Sequence, residues 1–74
     1  MAVIRSFELK ELRSSTIHSE AEATISMIDT TDEKFIQIDT YGSKERAIPG
    51  KTSQSLRLSK AAFDELVKHG LKHF

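Results

Sequence analysis

Phe35, Gln37, Asp39 and Tyr41 alternate along one stretch of the chain, and Ser53, Ser55 and Arg57 alternate along another. If both stretches are strands, a side-chain period of two puts each set on one face. The surface then carries two aromatic rings, an amide, hydroxyls and a guanidinium, with Lys44, Arg46 and Lys51 around its rim. Aromatic faces stack bases while Lys and Arg neutralise phosphates, and neither needs a deep pocket. This is the chemistry of single-stranded nucleic-acid binding. Exposed aromatics and Arg are also enriched at protein interfaces, and on residue types alone the two readings weigh the same.

Other arrangements point to less. Gly50-Lys51-Thr52 ends like a phosphate-binding loop, but that motif needs a glycine where this chain has Glu45, and a helix must follow where a strand is expected. His69 and His73 stand four apart, yet no H-E-x-x-H motif accompanies them and no third ligand lies nearby in sequence. Histidines in a last helical turn suit the helix dipole without any metal, so no metal and no cofactor is expected. His18 lacks a glycine-rich elbow or oxyanion hole beside it. Glu20 and Glu22 share a strand face that suits acid–base work, but such a pair is more often simply a solvated surface. No enzyme is expected.

The frame for these residues is small. A chain of 74 residues makes one domain over 1–74, and folds of this size bury only about 60% of the surface their unfolded chain exposes. With no Cys, disulfides and thiolate metal sites are excluded. MAVIRSFELK lacks a signal peptide's apolar run, and no stretch reaches the ~20 apolar residues of a membrane span; a cytoplasmic protein without membrane contact is expected. Eleven Lys and Arg balance eleven Asp and Glu, but unevenly along the chain. Residues 20–39 carry six acids against Lys34 alone, whereas residues 40–60 carry five cations against Glu45. Such segregation hints at partner binding and equally allows neighbouring surfaces to neutralise each other.

Period-two patterning over the first 58 residues predicts strands over about 4–12, 19–28, 34–41 and 52–58. Ile36 and Ile38 face inward with Leu56 and Leu58, and Asp29 to Glu33 form the turn of a hairpin. Ser59 is placed to cap a helix over about 60–73 whose apolar stripe runs through Phe63, Leu66, Val67, Leu71 and Phe74, with Leu58 stapled on Phe63. Gly70 either ends that helix or lies within it. The expected class is α+β: a four-stranded antiparallel sheet followed by one C-terminal helix packed on one face. About a dozen apolar side chains, four of them only Ala or Val sized, make a thin core, so a homodimer is expected, with Leu71, Phe74 and the sheet edges as candidate contacts.

The run Ile36-Gln37-Ile38-Asp39-Thr40-Tyr41, a polar loop, Pro49-Gly50-Lys51, a strand ending Leu56-Arg57-Leu58-Ser59 and a helix with Phe63 and Leu66 resembles the C-terminal domain of transcriptional positive cofactor four. That family includes eukaryotic coactivators and small bacterial relatives. The likeness covers about residues 34–72. It implies four antiparallel strands and a helix, a homodimer, and single-stranded DNA bound on the sheets. Tyr41 resembles the aromatic pair that ends the family's central strand, and Lys51 the basic residues after its Pro-Gly. Asp39 departs from the pattern where the family has a cation, and two extra residues lie between Pro49-Gly50 and the helix cap. The function expected is binding of single-stranded DNA or RNA; the alternative is a protein-interaction or accessory module on the same scaffold.

Overall fold

Two turns set the frame of the sheet. Thr30 and Glu33 close the first: the Thr30 backbone N–H donates to the Glu33 carbonyl at 3.0 Å, and the Thr30 hydroxyl caps the Glu33 N–H at 3.1 Å. A hydroxyl that supplies these bonds makes a turn without glycine, and it joins β2 (Ala23–Asp29) to β3 (Lys34–Tyr41). Ser59 makes the second, where β4 (Thr52–Leu58) passes into α1 (Lys60–His73). Its hydroxyl accepts the Ala62 N–H at 3.2 Å, satisfying a donor that no helical carbonyl can reach. The computed structural model describes residues 1–12, 20–42 and 52–74.

With β1 (Ala2–Ile4) the strands form one sheet in the order β1-β4-β3-β2. β2 pairs antiparallel with β3, and β3 with β4. β1 lies parallel to β4, matching Ala2 to Leu56 and Ile4 to Leu58. The class is α+β, and the sheet is mixed rather than wholly antiparallel as the sequence led us to expect. The reason lies in the connections. β2 and β3 are joined by four residues, which forces a hairpin, whereas residues 5–22 are long enough for the crossover that a parallel arrangement needs. The first strand also ends at Ile4 instead of continuing to residue 12. Beyond it, the Phe7 N–H donates to the Glu65 carboxylate at 2.7 Å, so this backbone is tied to α1 and not to a neighbouring strand.

α1 packs over β3 and β4. It runs through Gly70 to His73, and the Phe74 N–H donates to the Gly70 carbonyl at 2.9 Å, so Gly70 lies within the helix. Among the described residues the apolar side chains that reach full burial are Leu58 and Ala62. Ile25 and Met27 on β2 share the helix-side face with their partners Ile38 and Ile36, yet stay 62% and 71% exposed because the helix does not reach them. Among the described residues no helix is long and apolar enough to cross a membrane.

Candidate nucleic-acid interface

Partners directly opposite each other in a ladder project to the same face. Thr24 pairs with Asp39, Ser26 with Gln37 and Ile28 with Phe35; on the other side Gln37 pairs with Arg57 and Asp39 with Ser55. The face away from α1 therefore carries Phe35, Gln37 and Asp39 in a central row, with Ser55 and Arg57 beside it on β4. Its middle is a hydrogen-bonded chain. Arg57 Nε donates to Gln37 Oε1 at 2.9 Å. Gln37 Nε2 donates to both Asp39 oxygens, at 3.1 and 3.2 Å, and the Ser55 hydroxyl donates to Asp39 Oδ1. Each of these side chains is half-buried. The Asp39 carboxylate is thus accommodated by three donor contacts and linked through one amide to a guanidinium, which explains how an acid sits in the middle of the sheet with no direct cation among the described residues.

The two ends of the row differ. At one end Phe35 lies close to two cations, with the guanidinium carbons of Arg5 and Arg57 at 5.5 and 5.7 Å from its ring centroid. Both distances are in the range of cation–π attraction. Arg5 also pairs with the Glu33 carboxylate. At the other end the Tyr41 hydroxyl lies 3.1 Å from the Thr24 hydroxyl, so the ring leans across the face toward β2. A β-bulge separates Tyr41 from the regular ladder: Thr40 pairs with Gln54 and Tyr41 with Thr52, leaving Ser53 without a partner. A bulge re-aims local side chains.

The chain matches no protein-family model, no curated protein and no solved structure.

Of the residues picked out from sequence, Phe35, Gln37, Ser55, Arg57 and Tyr41 come together with Asp39 along one face, and Ser53 sits at the bulge. Lys44, Arg46 and Lys51 lie outside the described residues, as does His18. Arg5 escaped sequence reading. It follows a three-residue strand whose pairing with β4 is a long-range event, and no local pattern signals that it ends up beside Phe35. Among the described residues no group of three or more His, Asp or Glu side chains is placed to hold a metal ion. The arrangement offers an open polar surface with fixed donors and acceptors, a ring at each end and two guanidinium groups at one of them.

Proposed function

We propose that the protein binds single-stranded nucleic acid, DNA or RNA, on the sheet face opposite α1. The observation that carries this reading is the row from Phe35 to Tyr41: seven residues of strand, about 20 Å from first to last, with an aromatic ring at each end and Arg5 and Arg57 beside the first. Unpaired bases have free faces for such rings, and their phosphates suit the guanidinium groups. A duplex hides those faces. The resemblance of residues 34–72 to the positive cofactor four domain supports the same function, and the parallel β1 is a further departure from that pattern.

The test is a fluorescence anisotropy titration with labelled single-stranded and double-stranded oligonucleotides at several salt concentrations. Binding that prefers single strands and weakens linearly in log salt is expected. The second reading, a protein-interaction module, is favoured by Asp39 at the centre of the face and by the balanced net charge of the chain. It takes over if neither oligonucleotide binds at low salt.

A further inference from the structure

β2 is an outer strand of the sheet, with β3 as its neighbour. Along such a strand, residues whose N–H and C=O bond the neighbour alternate with residues whose groups point away. Two hydrogen bonds set the phase. The Tyr41 N–H donates to the Glu22 carbonyl at 2.9 Å, and the Thr30 N–H to the Glu33 carbonyl at 3.0 Å. Between them the register is unbroken, so Thr24, Ser26 and Ile28 turn their backbone groups toward β3, while Ala23, Ile25, Met27 and Asp29 turn theirs outward. Among the described residues no hydrogen bond reaches these outward groups.

An open edge is a template for another strand, and folded proteins blunt it with Lys, Pro, a bulge or a very short edge strand. The far edge of this sheet is blunted in the last way, since β1 has three residues. β2 is not. It runs for seven residues without a bulge, and residues 20–33 contain no Lys, Arg or Pro. The residues with outward backbone also leave apolar surface, because the Ile25 and Met27 side chains are mostly exposed. A strand laid about 4.8 Å beyond β2 would take up the outward N–H and C=O groups and cover both side chains.

Charge decides which strand fits. Glu20 and Glu22 precede β2, Asp29 ends it and Asp32 follows. Edge to edge, a second copy would set the Glu20–Glu22 end against the Asp29–Asp32 end if antiparallel, and each acid against its own kind if parallel. Like charges facing each other across a ladder destabilise it. A chain with cations at those positions is attracted instead.

We propose that β2 accepts an extended segment of a partner protein as an added strand, apolar at alternate positions in its middle and basic at both ends. In antiparallel register the segment places a cation opposite Asp29, apolar side chains opposite Met27 and Ile25, and a second cation opposite Glu22. Read along the partner, this is cation-x-apolar-x-apolar-x-x-cation. Main-chain bonds supply affinity and the alternate side chains supply selectivity. The edge is separate from the polar face, so this inference stands whichever ligand that face takes.

The probe is the peptide KTVTVTTK, carrying a fluorophore on its N-terminus and an amide at its C-terminus. Anisotropy at low salt should show saturable binding, with affinity lower by about tenfold for ETVTVTTE and recovered when that peptide meets the Glu22→Lys, Asp29→Lys chain. N-methylation of the two Val amides, which face β2, should abolish binding. N-methylation of the Thr after each Val, whose amides face away, should not. Amide hydrogen exchange should slow at Ala23, Ile25, Met27 and Asp29 when KTVTVTTK is added, and stay as it was at Thr24, Ser26 and Ile28. Met27→Lys, at a position exposed within one chain, should remain folded by circular dichroism and lose the probe. No binding to the native chain, equal binding of the two peptides, equal loss from both N-methylated forms, or protection confined to residues outside β2 overturns the proposal. So does a native chain that sediments as a dimer and becomes a monomer on Met27→Lys, because a second copy then holds the edge.

Discussion

Arg57 Nε donates to Gln37 Oε1 at 2.9 Å across the β3–β4 ladder, where the two residues are direct partners. Because a guanidinium can only donate, this bond fixes which end of the Gln37 amide faces Arg57 and turns the NH2 group toward Asp39. Arg57 therefore has two separable roles, a charge at the edge of the face and an orienting donor within it. Arg57→Ala is expected to weaken binding to every single-stranded sequence and to make the slope of log affinity against log salt shallower by about 0.7, the counterion term of one phosphate contact. Arg57→Lys keeps the charge and should keep the slope, while loss of the Gln37 bond lowers stability by about 1 kcal/mol in urea denaturation.

Tyr41 tests stacking separately from charge. Tyr41→Ala should cost about 1 to 3 kcal/mol of binding with little change in salt slope, because stacking releases few counterions. Tyr41→Phe removes only the exposed contact with the Thr24 hydroxyl and should bind nearly as the native chain does. Anisotropy titrations of both variants at matched salt distinguish a stacking ring from a structural hydroxyl.

Among the described residues Asp39 is the acid in the middle of the face, held by Gln37 and Ser55. Asp39→Asn removes a negative charge while keeping a side chain of the same shape and one acceptor oxygen. Binding should tighten, most clearly near 0.01 M salt where the screening length is about 30 Å. The same titration should show the gain shrinking as salt is added. Unchanged affinity in Asp39→Asn, Arg57→Ala and Tyr41→Ala together would move the account to the protein-interaction module.

The parts of the fold legible in the sequence are those fixed by neighbours. Alternation through Ile36 and Ile38, the hydroxyl of Thr30 and the Ser59 cap act over a few residues, and β3, β4 and α1 follow from them. What depends on distant pairing was hidden. Phe7 and Leu9 alternate like a strand, yet this segment finds Glu65 and Leu66 of the helix instead of a strand partner. The site divides in the same way. Phe35, Gln37, Asp39 and Tyr41 were readable as one row because period two needs no tertiary knowledge. Arg5 was not, because its place beside Phe35 depends on the parallel β1–β4 pair. Nor was the bulge at Ser53, which no glycine marks.

Ser59 is buried, and its hydroxyl accepts from Ala62 at the first turn of α1. Ser59→Ala leaves that donor without its cap and should lower stability by about 0.5 to 2 kcal/mol, read as a drop in the urea midpoint with an unchanged slope. A helix that melts independently of the sheet would contradict this, since Ser59 also ties its own N–H to the Ile4 carbonyl of β1 at 3.1 Å.

The most direct test of the central claim is a map of backbone amide shifts in the 15N-labelled protein as an unlabelled single-stranded oligothymidylate is added at low salt. The largest changes should fall on Phe35, Gln37, Asp39, Tyr41, Ser55 and Arg57, with Arg5 beside them and with Val67 and Leu71 on the opposite side unmoved. Changes confined to α1 and to Ile25 and Met27, or no changes at all, would contradict it.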